Sequence, residues 1–270
     1  MKRDRSGERL ARGGMAGFCA GRGRVFRCVV LLSLWWTGSV YAQVDGDGYQ
    51  EGKTLSLQRA FGTVSEWRLT TYAAPNAEYS TKPARFCFWR DPAHRHEQCY
   101  VAYETLSNNV AYPFQTFKEV SVVPLMENGQ IERGVLIVAN HSGTQDGLLS
   151  LSVWVYRQGE DRFSIATPPL LVLTWQSDYR VLSKTGQVLK GLLVTANRFW
   201  NAGDGERLFA PHRFMVRIYA YDIEHRFYRP LAEYLTARKY KSLDDVEAID
   251  VIVPEMKEIL RRASRAAQTR

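Results

Sequence analysis

Arg133-Gly134-Val135-Leu136-Ile137-Val138-Ala139-Asn140 returns 57 residues later (190 − 133) as Lys190-Gly191-Leu192-Leu193-Val194-Thr195-Ala196-Asn197. Each copy runs on to an Asp-Gly pair (Asp146-Gly147, Asp204-Gly205) and an aromatic strand ending at Tyr156 or Tyr221. A turn follows, written Glu160-Asp161-Arg162-Phe163 in one copy and Glu224-His225-Arg226-Phe227 in the other. The shared frame predicts a strand, an Asn-to-Asp-Gly loop, a second strand, a tight turn and a third strand. One such sheet cannot hide its apolar face alone, so the copies must stack or pair. The expected fold class is mainly β: antiparallel sheets in two related repeat modules over 129–231, arranged as a sandwich or partial propeller, with a C-terminal helical cap.

Short aromatic and β-branched runs between Gly, Pro, Asn and Asp predict more strands at 66–72, 85–89, 99–104 and 117–124, in an N-terminal β region spanning 55–128. Ser150-Leu151-Ser152-Val153 and Met215-Val216-Arg217-Ile218-Tyr219-Ala220-Tyr221 alternate cleanly, the mark of strands with unlike faces. From 232 the period changes. Leu231 with Leu235, then 242–249 and 254–262, predict helices, with Ser242 as an N-cap and Pro254 at a first helical position. Val246, Ile249, Val253, Met256, Ile259 and Leu260 form the stripe expected to dock on a sheet. Residues 43–54, polar and Gly-rich with Asp45-Gly46-Asp47-Gly48, are expected to be a flexible leader.

The N-terminus carries a targeting pattern. A basic run (Lys2, Arg3, Arg5, Arg9, Arg12, Arg22, Arg24, Arg27) leads into apolar Val29–Trp36 and then Thr37-Gly38-Ser39-Val40-Tyr41-Ala42. This predicts a cleaved signal peptide over 1–42, hence an exported protein, periplasmic or secreted, with Met15 an alternative start. Of 36 Lys/Arg and 28 Asp/Glu, eight and two lie in that segment, leaving 28 against 26 and a net charge of +2. So balanced a chain argues against nucleic-acid binding, and its one remaining basic cluster, Lys257, Arg261, Arg262, Arg265 and Arg270, reads as the solvated face of an amphipathic helix. No later stretch is long and apolar enough to span a bilayer. Cys87 and Cys99 survive cleavage and, in an oxidising compartment, predict one disulfide closing a hairpin. His94 and His96 lie between them, but Cys-x6-His-x-His-x2-Cys matches no zinc-ligand spacing, so no metal or cofactor is expected.

The apolar strand, Asp-Gly loop and aromatic strand together resemble the blade-like repeats of exported FG-GAP-type propeller proteins. Only Asp146 and Asp204 stand where those blades carry a calcium-binding acidic cluster. Asn140-His141-Ser142-Gly143 before Leu149–Val153 is similar, more loosely, to the inhibitory loop region of periplasmic lysozyme inhibitors, without the Tyr expected after its Ser-Gly. The shared topology of the two modules, rather than either resemblance, points to binding at the rims. Loops 140–147 and 197–205 should leave equivalent ends of their modules and present Asn140, His141, Ser142 and Asp146, and Asn197, Arg198, Trp200 and Asp204. Aromatic side chains beside Asn, Asp and Arg stack on sugar rings or anchor protein contacts. Catalytic patterns are weak: His141-Ser142 lacks a G-x-S-x-G elbow, and Asp146 with Asp204, or Glu160 with Glu224, read more simply as turn formers. The expected function is non-catalytic binding of an envelope protein or glycan. The alternatives are an envelope glycan hydrolase and a structural assembly subunit working through its sheet edges.

Overall fold

The computed structural model describes residues 47–77, 80–105, 111–128, 130–141, 147–168, 171–174, 176–184, 191–199, 210–241 and 249–269, with backbone alone at 103–105, 111–112, 128 and 130. Strands β1 (Gln50–Ser56), β2 (Arg68–Ala73), β3 (Arg85–Trp89) and β4 (Gln98–Val101) form an antiparallel meander, with the short helix α1 (Gln58–Phe61) between the first two. β5 (Tyr103–Thr105) and β6 (Ala111–Pro113) make a small ladder. A second meander joins β7 (Thr116–Asn128), β8 (Gln130–Asn140), β9 (Leu148–Arg157) and β10 (Arg162–Ile165), and β11 (Leu171–Thr174) pairs with the other half of the β9 edge. The third meander is β12 (Asp178–Leu182), β13 (Leu192–Arg198), β14 (Phe214–Asp222) and β15 (Phe227–Leu235). Helix α2 (Ile252–Gln268) closes the chain.

The repeated strands are β8 and β13. All of Val135–Ala139 is buried, because the middle sheet is covered on both faces. Leu136 and its counterpart Leu193 share one core between the second and third sheets. Val135 and Ile137 face the first sheet with Leu57, Trp67, Leu69, Phe86 and Phe88, whereas their counterparts Leu192 and Val194 face α2. Equivalent faces therefore meet, and the modules pack back to back as a sandwich. Radially repeated blades would bring unlike faces together. The layers run first sheet, second sheet, third sheet, helix.

One landmark of the repeat falls out of register. Val135 pairs with Trp154 and Leu192 with Ala220, so Tyr221 corresponds to Val155 and not to Tyr156. A slip of one residue reverses the face: Tyr156 packs toward the first sheet and Tyr221 into the inter-module core.

Several boundaries also move. Residues 50–54, expected in a flexible leader, belong to β1, which pairs with β2. Leu231 and Leu235 lie in β15, not in a helix, with Leu231 at a bulge between Pro230 and Ala232. α2 begins before Pro254 and runs past 262. Its first turn is capped by tertiary contact: Asp178 Oδ2 accepts the N–H groups of Val251 (3.0 Å) and Ile252 (2.8 Å), and Asp250 accepts that of Val253. Pro254 follows at a position whose missing N–H costs nothing. Val253 is 49% exposed, and Ile252, Ala263 and Ala267 join Ile249, Met256, Ile259 and Leu260 in the buried stripe. The helix expected at 242–249, with Ser242 and Val246, lies outside the described residues apart from Ile249.

Tyr228 is fully buried in the inter-module core against the Tyr221 ring (5.1 Å), and burial pushes its phenol pKa up. Its hydroxyl has no hydrogen-bond partner among the described residues. Replacing Tyr228 with Phe removes that uncompensated polar group while keeping the ring, so stability should hold or rise by about 1 kcal/mol. A thermal melt checks this, and a clear loss of stability would contradict it.

Candidate functional site

At the rim, Asn197 Oδ1 accepts the Thr174 N–H (3.0 Å) and its Nδ2 donates to the Val172 carbonyl (3.2 Å), which fastens β13 to β11 across the sandwich. β11 pairs with the start of β9, and Leu149 there pairs with Asn140. The Asn140 and Asn197 strands thus end on the same side of the molecule. Arg198 donates to Gln176 Oε1 (2.6 Å). His141 Nδ1–H donates to the Pro113 carbonyl (2.6 Å), and its backbone N–H to the Leu148 carbonyl. These bonds brace the rim. Ser142, Asp146, Trp200 and Asp204 lie outside the described residues. Glu160 and Glu224 sit in the β9–β10 and β14–β15 turns, with Glu160 paired to Arg162.

A groove of about 420 Å³ opens between the first and second sheets. β4 forms one wall, through Cys99, Tyr100 and Val101, continued by Ala102 just after it, and Phe86 supports it. The floor is the part of β8 and β9 beside the first sheet, where the half-buried Ser150 and Ser152 lie among the buried Ile137, Ala139 and Trp154, with Ile165 beyond. Tyr100 stacks on Phe86 (5.7 Å) and lies 4.2 Å from Trp154, which fixes the aromatic edge. Ser150 and Ser152 explain the opening. They alternate with Leu149, Leu151 and Val153, which are buried in the opposite core, and so give the second sheet a polar half-face there.

β4 ends its sheet. The Ala102 N–H donates to the Ala84 carbonyl, and the alternation of the ladder then turns the backbone groups of Cys99 and Val101 away from β3, along the groove. Val101 is 47% exposed.

The far end of β4 is locked to the second sheet. Gln98 Oε1 accepts the Phe163 N–H (3.2 Å). Asp161, in a left-handed turn position (φ 44°), accepts from Trp67 Nε1 (2.9 Å), the Tyr156 hydroxyl (2.6 Å) and Arg90 Nη1 (2.6 Å). Arg90 also pairs with Glu97. Donation from Tyr156, then from Trp67, holds the Asp161 pKa below the usual carboxylate value. Burial, with Asp161 adding to it, pushes Tyr156 up to about 12. The side chains converge across sheets from distant points in the chain, which no local motif announces.

The expected disulfide joins Cys87 of β3 to Cys99 of β4, directly opposite each other. Among the described residues no helix is long and apolar enough to cross a membrane. No family model, curated protein or solved structure matches this chain.

Proposed function

We propose that this chain is an exported, non-catalytic binding module of the envelope that takes an extended segment of a partner protein along β4. One observation carries the reading: a strand edge with no partner strand among the described residues runs beside an apolar and aromatic groove of about 420 Å³. An added strand finds main-chain partners at Cys99 and Val101 and a floor for every second side chain on Ala139, Ser150 and Ser152. The volume lies in the range of sites that hold small ligands. The targeting pattern at 1–42 and the disulfide are consistent with work outside the cytosol.

A photo-crosslinking side chain placed at Val101 should form a protein adduct in the native envelope, whereas one at the exposed Val253 on α2 should not. Val101→Pro removes an edge N–H at a position where an edge strand accepts proline. It should cut adduct formation from a probe at Ile165 at least tenfold while leaving the melting midpoint nearly unchanged. Equal labelling from 101 and 253 would sink the proposal, and adducts with glycan alone would replace the protein partner.

A further inference from the structure

We propose that reduction of the Cys87–Cys99 disulfide turns this hairpin into a three-donor site for a soft divalent cation, Zn²⁺, with His96 as the third ligand. His96 Nδ1 lies 3.7 Å from Cys87 Sγ and 3.6 Å from Cys99 Sγ, and the three donor atoms lie within 4.8 Å of one another. Zinc bonds of about 2.3 Å to sulfur and 2.0 Å to nitrogen require the two sulfurs, once the bond between them is cut, to part to roughly 3.8 Å by rotation of the cysteine side chains. Two thiolates and an imidazole form a soft donor set that favours zinc over magnesium or calcium.

The thiols stay adjacent without the bond between them, because the sheet holds them. Cys87 and Cys99 are a non-hydrogen-bonded cross-strand pair, the closer kind, flanked by the ladder pairs Phe86–Tyr100 and Phe88–Gln98. Phe86, Phe88 and Trp89 are buried and anchor β3. His96 is held by the tight loop before β4. There Asp91 accepts the Ala93 N–H (2.9 Å), and the Tyr72 ring packs 5.6 Å from the imidazole.

The surroundings do not repel a cation. Arg90 is paired with Glu97 and Asp161, Arg95 with Glu51 and His94 with Asp91. Cys99 and His96 are exposed while Cys87 is buried, so the ion has an approach from solvent.

The chemistry balances in two steps. A dithiol reductant supplies two electrons and two protons, the S–S bond breaks to give two thiols, and the reductant leaves as its own disulfide. Zn²⁺ then displaces both thiol protons to solvent and takes the lone pair of neutral His96 Nδ1. One coordination position remains for water or an outside donor. Linear spacing hides the site because two ligands face each other across strands and the third comes from the loop between them.

The test uses the mature chain, residues 43–270, reduced anaerobically with a phosphine and titrated with Co²⁺ as the spectroscopic probe. A folded reduced chain should give a one-to-one complex with thiolate charge-transfer and tetrahedral d–d absorption, displaced by Zn²⁺. The oxidised chain should give none. His96→Ala, which leaves the disulfide and fold in place, should weaken Co²⁺ binding at least tenfold after reduction, and Cys99→Ser should abolish it. Binding of equal strength in His96→Ala overturns the proposal. So does a reduced chain that loses its β circular dichroism before cobalt is added, or one that stays folded and takes up no cobalt.

Discussion

Gly191→Ala should destabilise the protein by about 3–5 kcal/mol and lower its melting midpoint by about 10 °C, while the same change at the repeat-related Gly134 costs about 1–2 kcal/mol. Leu125 is the common neighbour. It sits at a bulge in β7, where pairing jumps from Pro124–Arg133 to Met126–Glu132, and its side chain is fully buried between the modules. The bulge sends the Leu125 carbonyl onto Gly191, where an added Cβ would stand 2.0 Å from the oxygen. That glycine also has φ +134°, a conformation L side chains rarely adopt. Backbone cannot yield to the new methyl, and the strain adds to the overlap. At Gly134 the nearest atoms are the Val153 Cγ1 at 2.9 Å and the two Leu125 methyls at 3.0 Å, and side-chain rotation relieves most of the contact. Thermal melts of the two variants side by side decide it. Equal losses would mean that the Leu125 carbonyl does not seat on Gly191.

The same pair shows what the sequence carried and what it did not. Gly134 and Gly191 were legible as members of a repeat, and the repeat correctly announced two antiparallel modules, because strand period and turn chemistry are local. The back-to-back packing was not legible. It depends on which face of β8 meets which face of β13, and an unbroken apolar run such as Val135–Ala139 does not separate its faces. Helix capping by Asp178 was hidden for a related reason: the cap lies 73 residues before Val251. The groove left only a faint trace, the serines at 150 and 152 in a strand whose other side chains are apolar or aromatic up to Tyr156. Polarity at a strand end does not by itself separate a recognition residue from a brace, and Asn197 bonds β11 through both ends of its amide.

Phe163→Ala should cost about 3–5 kcal/mol, the range for emptying a fully buried phenylalanine site. Phe163 is 0% exposed and stacks on Phe88 at 4.3 Å, with Phe61 and Trp67 edge-on at 5.2 and 5.6 Å. It joins three elements, α1, the first sheet and the second sheet, and its backbone N–H is held by Gln98 at the end of β4. Removing the ring therefore leaves a cavity that no single neighbour can fill, and the interface between the first two layers loosens. Phe227, its counterpart in the repeat, is only partly buried in the third sheet, and Phe227→Ala should cost about 1 kcal/mol. Urea denaturation followed by tryptophan fluorescence resolves the contrast, since Trp67 reports the first interface directly. A smaller midpoint shift for Phe163→Ala than for Phe227→Ala would mean that the first sheet is not seated on the second through this ring. The groove depends on that same seating, because β4 keeps its distance from Ser150 and Ser152 only while Phe88 and Phe163 remain stacked.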